Sequence, residues 1–343
     1  MSSPSSTASP DNAPSSHDEA KEEKRELIFF AKLDKDVWEA WVWSAVGLAV
    51  CAILIWLVAF LKLGYVSVYA YGVGIPLTML MTVPIVLWGL FKTMINPPIM
   101  RVSRSVGFAS LFLVAWAGRQ PNLPAPVSTE DFVSSHHYSL PFSGEWYTLS
   151  GGLESETNSS ITSPALRFAY VFTKLTPDGA RFDGDASLLE SYPCYGAEVL
   201  SPVEGEVVTV YATQQDNVPG VASQDNMLGN HIVLKVDEEE FLIATFLKQN
   251  SIPVEVGQKV ARGDKIGECG NSGGVAWPQL QVYLVKDGYK LILTEGLPMP
   301  FEHYEVVGKR DGAERVVKGM PLGAGDPQLE DLSKGQLVRP YSP

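Results

Sequence analysis

Cysteine, histidine and charge are all scarce in this chain of 343 residues. Its three cysteines, Cys51, Cys194 and Cys269, exclude a disulfide-stapled miniprotein, and their wide spacing excludes a C-x-x-C zinc site. Only five histidines are available to any metal site. Charged residues form 19% of the chain, and the net charge is −13. This acidic balance excludes a typical nucleic-acid-binding protein, which needs a basic face to displace counterions from phosphates.

Long uncharged runs are present instead, and they lie in the first third of the chain. Residues 40–61 carry no formal charge, and as a helix they would cross about 30 Å of hydrocarbon. Residues 66–91 form a second such run, in which Pro76 and Pro84 predict kinks. We predict a transmembrane helix over each run. Neither contains Asp, Glu, Lys, Arg or His, so neither predicts an ion path.

A third apolar run, 102–118, is shorter and has Arg104 near its start. It fits either a short membrane span or a helix that lies on the membrane surface. Basic residues occur in both segments that two crossings would leave on one side of the membrane: Lys21, Lys24, Arg25, Lys32, Lys35, Lys92, Arg101 and Arg104. Because such basic segments stay in the cytoplasm, we favour a third crossing, which places the chain after residue 119 on the opposite side.

Composition predicts two or three N-terminal transmembrane α-helices followed by an all-β antiparallel sheet domain. Short β-branched runs bounded by Gly, Pro, Asn and Asp predict strands at 205–210, 231–236, 241–246 and 281–285. Residues 237–240 are predicted to form a solvated hairpin turn. The expected parts are a disordered cytoplasmic tail (1–36), a membrane region (37–119), a proline-containing linker (120–138), the β domain (139–308) and a C-terminal tail (309–343).

Six short segments in the second half of the chain carry a resemblance to a known family. They are LPFSGEW at 140–146, RFAYVF at 167–172, YGAEVLSPVEGEV at 195–207, GNHIVL at 229–234, SIPVEVGQKV at 251–260 and GNSGGVAWP at 270–278. In this order they resemble the M23 (lysostaphin/LytM-like) zinc peptidases over about residues 139–302. The resemblance implies an antiparallel M23-like β domain.

The resemblance also implies five active-site positions: a His, an Asp and the second His of a His-x-His as zinc ligands, with two further histidines that assist the reaction. In this sequence those positions fall on Ser160, Val171, Gln281, Gln279 and Phe246. Val and Phe have no lone pair to donate, and Gln and Ser are weak ligands. We therefore expect neither zinc nor another cofactor, no catalytic residue, and a vestigial groove with Trp277 as a candidate wall or as a packing residue.

Family resemblance makes a membrane-anchored, catalytically inactive M23/LytM-like binding or regulatory module the preferred hypothesis. It implies a multi-pass protein of a bacterial inner membrane with an extracytoplasmic β domain. The expected partners are the lipid bilayer and either a protein, such as a cell-envelope hydrolase, or peptidoglycan, but no nucleic acid. One alternative is an active cell-wall endopeptidase with displaced zinc ligands, using His136 or His137 with Asp183 or Asp185. The other is a structural or adaptor subunit of a membrane assembly.

The cysteines leave one question open. Cys194 and Cys269 would pair if the β domain is extracytoplasmic, where disulfides persist. Two buried free thiols fit the sequence equally well.

Overall fold

A computed structural model describes residues 38–96, 101–118, 124–290, 293–307, 313–323 and 335–341. The chain forms two compact units, one over Met1–Ala52 and Thr78–Gly118 and the other over Ile53–Leu77 and Arg119–Pro343. The predicted tail at 1–36 lies outside the described residues. The first described unit is helical, and the second contains the β domain.

The apolar runs form helices. They are α1 (Ala40–Phe60), α2 (Tyr65–Tyr69), a π-helical turn (Ala70–Gly74), α3 (Ile75–Ile95) and α4 (Val102–Ala117). Two helices, Ala40–Phe60 and the continuous Tyr65–Ile95, are long and apolar enough to cross a membrane. The second extends beyond the predicted residue 91, because Lys92 lies in its last turn, where a cation stabilises the helix C-terminus.

Small residues allow close packing in the helical unit. Trp41 of α1 is completely buried, and a Cβ at Gly89 or Gly107 would lie within 2.9 Å of its ring. Glycine at these two positions therefore lets α3 and α4 approach the indole. Trp41 packs in a cluster with Val42, Ala45 and Leu111.

Arg104, near the start of α4, is paired inside the helical unit. Its side chain is 1% exposed, and Nη2 lies 2.6 Å from Oε1 of Glu39. Nη1 donates a hydrogen bond of 2.8 Å to the carbonyl oxygen of Asn96. The start of α4 is thus held beside the residue that precedes α1.

The second unit contains the turn between α1 and α2 together with the β domain. Gly64 has a φ of 65°, a conformation that glycine adopts without a steric penalty. Lys62 forms an ion pair with Glu130. The ammonium of Lys290 lies 3.8 Å from the ring centre of Tyr65. These contacts join the turn to the β domain.

An antiparallel sheet of eleven strands forms the centre of the β domain, in the order β12-β11-β13-β1-β2-β9-β6-β5-β4-β7, with β10 beside β9. A separate pair joins β3 and β8. The strands are β1 (Trp146–Ser150), β2 (Tyr170–Thr173), β3 (Glu198–Leu200), β4 (Gly205–Tyr211), β5 (Asn230–Asp237), β6 (Glu240–Leu247), β7 (Lys259–Val260), β8 (Lys265–Glu268), β9 (Leu280–Val285), β10 (Gly296–Leu297), β11 (Phe301–Val307), β12 (Ala313–Gly319) and β13 (Leu337–Pro340). The four predicted strands are confirmed to within one residue at each end.

Both faces of the central strands are buried. Successive side chains of a strand point to opposite faces. In β9, Val282 and Leu284 belong to the main core with Phe172, whereas Tyr283 and Val285 belong to a second cluster on the other face. Burial on both faces explains the nearly continuous apolar sequence of these strands.

Two predicted boundaries of the β domain are wrong. Residues 309–343 are not simply a tail, because they supply β12 and β13, and β13 lies between β11 and β1. Residues 120–138 are not a free linker, since Ala125 and Val127 are completely buried. The sheet domain covers apolar residues in both segments. The prolines and glycines around these residues made the two segments resemble a linker and a tail in the sequence.

Cys194 and Cys269 form a disulfide bond, with a Cα–Cα distance of 5.7 Å. The bond joins residues 75 positions apart in the sequence. This settles the alternative that the sequence left open. Cys51 in α1 is free and exposed.

Candidate functional site

Three neighbouring strands place Val171, Gln281 and Thr245 side by side. Val171 of β2 and Thr245 of β6 are both direct partners of Gln281 in β9. Because direct partners lie on the same face of a sheet, the three side chains form one row. The Thr245 hydroxyl donates a hydrogen bond of 3.3 Å to Oε1 of Gln281. Gln281 is 5% exposed, so this row is closed to bulk solvent.

Val171 fills its end of the row with hydrocarbon. It is 3% exposed and packs in an apolar cluster with Tyr147 and Leu149 of β1. Val171 stands at the position that resembles an Asp ligand. A valine in such a cluster offers no electron pair to any ion.

Gln279 precedes β9 by one residue and is 4% exposed. Its backbone N–H donates to the carbonyl oxygen of Gly270 at 3.2 Å. Next to it, the Pro278 carbonyl oxygen accepts a hydrogen bond from the Thr173 hydroxyl at 3.1 Å. The segment that resembles the family's His-x-His is therefore fixed between β2 and the turn at Gly270.

Phe246 has a φ of 66°, in the left-handed region that a bulky residue rarely adopts. It lies in β6 where the register with β5 shifts, between the pairs Ile232–Ala244 and Asn230–Leu247. Its backbone N–H donates to the Leu228 carbonyl oxygen at 3.2 Å. Strained residues and bulges of this kind concentrate at functional sites. This end of β6 is therefore a candidate for such a site.

Ser160 lies in a turn outside the strands. Its backbone N–H donates to Oδ1 of Asn158 at 2.9 Å. The adjacent Ser159 donates its N–H to Oγ of Ser150, the β1 partner of Val171. No hydrogen bond joins Ser160 to the other four predicted positions in the part of the chain that the structure describes.

These five residues do not fit a zinc ion. A catalytic zinc site needs three strong nitrogen, oxygen or sulfur donors. The row offers only neutral amide and hydroxyl groups beside Val171, and the amide oxygen of Gln281 already accepts a hydrogen bond from Thr245.

Aromatic side chains border the region after the Gly270 turn. Trp277 is half-buried, and its ring centre lies 6.0 Å from that of Tyr192. Phe182 extends the row at 5.6 Å from Tyr192 and is 38% exposed. Trp277 thus packs against Tyr192, and its role as a groove wall stays a prediction.

A long loop, residues 212–229, is fixed over this aromatic row. The side-chain amide of Asn217 donates to the carbonyl oxygens of Gly273 and Val275, at 2.8 and 2.9 Å. The backbone N–H of Gly220 donates to the Ala276 carbonyl at 2.8 Å. Three apolar side chains of the loop remain more than half exposed: Val218, Val221 and Met227.

Sequence analysis missed two buried polar residues near the row. Arg167, four residues before Val171, is 6% exposed, and its Nε has no hydrogen-bond partner among the described residues. Burial lowers the pKa of this guanidinium. Tyr283, two residues after Gln281 on the same face, has a hydroxyl with no hydrogen-bond partner in the described part of the chain, and burial raises its pKa. For Arg167, the available signal in the sequence was a lone arginine shortly before an apolar strand.

The histidines of the alternative, relocated zinc site meet other partners than Asp183 or Asp185. His137 Nδ1 lies 2.8 Å from Glu302, and His136 lies beside Asp237 and Glu240. In the predicted hairpin turn at 237–240 the first three residues are exposed, as predicted, whereas Glu240 is 6% exposed.

Known proteins provide a second line of information. The sequence profile of Peptidase family M23 matches residues 192–291. Solved structures with a similar chain path include the catalytic domain of a mutant of the prophage-encoded M23 protein EnpA from Enterococcus faecalis, with 16% identity over 49% of this chain and 91% of that one and a TM-score of 0.27. The lysostaphin catalytic domain from Staphylococcus simulans has 17% identity over 37% and 73%, with a TM-score of 0.25.

A further similar structure comes from the SpoIIQ–SpoIIIAH pore-forming complex, with 12% identity over 48% of this chain and 89% of that one and a TM-score of 0.29. No curated protein matches the chain significantly. The profile match covers the positions Phe246, Gln279 and Gln281. The chain therefore contains a domain of Peptidase family M23 at residues 192–291.

Proposed function

We propose that this chain is a membrane-anchored, catalytically inactive M23 protein that binds a component of the bacterial cell envelope. The observation that carries the proposal is the buried row of Val171, Gln281 and Thr245. Peptide hydrolysis by a zinc enzyme needs an ion that activates water and polarises the scissile carbonyl. The row supplies no such ion site, because its polar groups bond to each other and its third member is a hydrocarbon.

Energetics support the loss of metal binding in an intact fold. A buried His or Asp without its ion would leave polar groups unpaired, at a cost of about 1–3 kcal/mol each. The Thr245–Gln281 hydrogen bond and the packing of Val171 on Leu149 avoid this cost. We therefore infer that the domain folds without zinc in the groove.

The aromatic row and the loop above it supply the binding surface. Contiguous exposed apolar groups on a soluble domain mark interaction sites. Phe182, Val218 and Val221 are exposed near the half-buried Trp277, and Gly220 is close enough that a Cβ there would lie 3.7 Å from its ring. Such a surface suits a glycan strand or a peptide segment, as peptidoglycan or an envelope hydrolase would present.

We infer the membrane topology from contacts within each unit. The turn between α1 and α2 touches the β domain through Lys62 and Tyr65, so both lie on the side where α1 ends. The Glu39–Arg104 pair keeps the start of α4 on the side where α1 begins. We infer that α4 crosses the membrane, although its 16 residues span only about 24 Å.

The side of the β domain is inferred from two features. Basic residues flank the opposite side, which favours the cytoplasm there. The disulfide between Cys194 and Cys269 is a bond that persists in oxidising compartments. We infer a multi-pass protein of the inner membrane with its β domain outside the cytoplasm.

Hydrolysis tests the absence of catalysis. The full chain in detergent, supplied with zinc, is expected to release no soluble fragments from purified peptidoglycan, and an active M23 peptidase serves as the positive control. Release that disappears in a Gln281→Ala variant would overturn the proposal and restore the alternative of an active endopeptidase.

Photo-crosslinking in cells tests the binding surface. A photoreactive amino acid replaces Val218 in the loop or, as a matched control, Val256, which are 65% and 64% exposed. Crosslinks to glycan strands or to an envelope hydrolase are expected from position 218 only. Equal crosslinking from both positions would contradict the assigned surface, and a stable stoichiometric partner would favour the structural-adaptor alternative.

A further inference from the structure

Three potential metal ligands meet at the β5–β6 hairpin, away from the groove. One donor atom each of His136, Asp237 and Glu240 lies within 4.8 Å of the other two. Nε2 of His136 is 3.5 Å from Oδ2 of Asp237. His136 precedes the residues that match the M23 family, so this cluster is independent of the family's groove.

Local structure explains why these residues meet. Asp237 ends β5 and Glu240 begins β6, and the two are direct partners across the hairpin. The segment that carries His136 reaches the hairpin, since the hydroxyl of the nearby Tyr138 donates a hydrogen bond to Glu240. The backbone N–H of His136 donates to Oγ of Ser134 at 3.0 Å, which fixes the histidine in a tight turn.

Glu240 is an acidic side chain that is buried without a cation. It is 6% exposed, and no Lys or Arg forms an ion pair with it among the described residues. The lysines of this hairpin pair elsewhere: Lys235 with Glu238 at 2.8 Å and Lys286 with Glu239 at 3.5 Å. Burial of an unpaired carboxylate is costly, and a nearby positive charge offsets that cost.

Two hydroxyl groups orient this carboxylate. Tyr138 and Ser134 both donate to Oε2 of Glu240, at 2.8 and 2.6 Å. In the described part of the chain, Oε1 accepts no hydrogen bond, so it remains free to bind an ion. In metal sites, the carboxylate oxygen that does not bind the ion typically accepts hydrogen bonds of this kind.

His136 also has a free ligand atom. Its Nε2 is buried and has no hydrogen-bond partner in the residues that the structure describes. At 3.5 Å, Oδ2 of Asp237 is too far for a good hydrogen bond. Bonds of about 2.0–2.2 Å to a tetrahedral zinc ion place its ligand atoms roughly 3.4 Å apart, close to this separation.

We propose that His136, Asp237 and Glu240 bind one divalent transition-metal ion, with Zn²⁺ as the best candidate. Imidazole with two carboxylates suits Zn²⁺, whereas Ca²⁺ and Mg²⁺ prefer ligand sets made of oxygen alone. Asp237 has a side chain that is 56% exposed, so it can rotate inward by the small distance that closure requires. The ion supplies the positive charge that Glu240 lacks.

Such an ion would fasten the chain that follows the membrane region to the central sheet. Residues 134–138 would be joined through the metal to β5 and β6. Metal binding to the folded state then raises its stability by mass action. The role is structural and requires no catalysis.

Calorimetric titration of the full chain in detergent tests the site. The protein is purified without a histidine tag, stripped with chelator and titrated with ZnCl₂, and CaCl₂ and MgCl₂ serve as comparisons. One Zn²⁺ per chain is expected, together with a higher melting temperature. His136→Ala and Asp237→Asn are each expected to weaken zinc binding at least about 10-fold.

Matched variants separate this site from other sources of binding. His137→Ala changes the neighbouring histidine, which pairs with Glu302, and Glu239→Gln changes an exposed carboxylate of the same turn. Both are expected to bind zinc as the unchanged chain does. Asp237 is exposed, so the Asp237→Asn variant is expected to fold. It therefore tests the site without a substitution of the buried Glu240.

Three outcomes would overturn the proposed metal site. They are no zinc binding by the unchanged chain, equal binding by His136→Ala and the unchanged chain, and binding that disappears in Gln281→Ala. The last result would locate the ion in the groove and would refute the proposed inactivity as well, whereas the first two leave that proposal intact.

Discussion

The buried polar side chains of the Val171–Gln281–Thr245 row pair with each other. Gln281 has Val171 on one side and Thr245 on the other, and only the threonine offers it a hydrogen bond. The amide oxygen of Gln281 therefore relies on the Thr245 hydroxyl as its hydrogen-bond donor. Val171 and Gln281 could be identified individually from the sequence. Thr245 could not, because only the register between β6 and β9 brings it beside Gln281, and a single sequence does not specify that register.

Thr245→Val tests that dependence. The change keeps the shape of the side chain but leaves the buried Gln281 oxygen unpaired, so the free energy of unfolding is expected to fall by about 1–3 kcal/mol. Chemical denaturation of the chain measures the loss. In a Thr245→Val, Gln281→Leu double variant both polar partners are gone, and most of the stability is expected to return. An equal loss in both variants would contradict the role of this pair.

Glu268 gives the β domain a charge-dependent contribution to its stability. Hydrogen bonds from Lys265 and Lys248 lower the pKa of this carboxyl group. Its stabilisation is therefore complete above the unfolded value of about 4.3 and is lost as the pH falls through the lower folded value. We expect Glu268→Gln to unfold more easily than the unchanged chain at pH 6 and to converge with it in strong acid. A constant difference at all pH values would rule out this linkage.

At the scale of elements, the four strands predicted from the sequence are neighbours in the sheet, and each is a β-branched run bounded by turn residues. The C-terminal strands were missed, since β13 has only four residues and pairs with β1, almost two hundred positions earlier in the chain. The same limit applies to sites: His136 and Asp237 are about one hundred residues apart, and only the fold brings them together.

Removal of residues 309–343 tests the role of the last strands. The truncated chain would leave β1 and β11 without the strand between them and would break the pairs of Arg339 with Glu305 and Glu145. We expect a lower melting temperature and faster proteolysis than in the full chain. A truncation that melts at the original temperature would show that this segment is dispensable after all.

For the molecule as a whole, the proposed topology has three crossings. It would place residues 61–64 and the β domain outside the cytoplasm. In the two-crossing alternative the β domain would be in the cytoplasm, and Lys62 and Glu130, which form an ion pair, would lie on opposite sides of the membrane.

Cysteine labelling in intact cells tests that topology. In a Cys51→Ser background, Leu63→Cys and Val133→Cys introduce thiols at positions that are 56% and 81% exposed. Both are expected to react with a membrane-impermeant maleimide, whereas Ser16→Cys in the tail reacts only after lysis. Protection of Val133→Cys while Leu63→Cys is labelled would refute the three-crossing arrangement.

The position of β13 between β1 and β11 also has a consequence for biosynthesis. Ribosomes release the first of these three strands long before the last, so the gap beside Trp146 stays open until residue 340 has emerged. Synthesis and sheet closure are thereby coupled: until the final segment arrives, the nascent domain exposes two unpaired edges that a chaperone would have to shield.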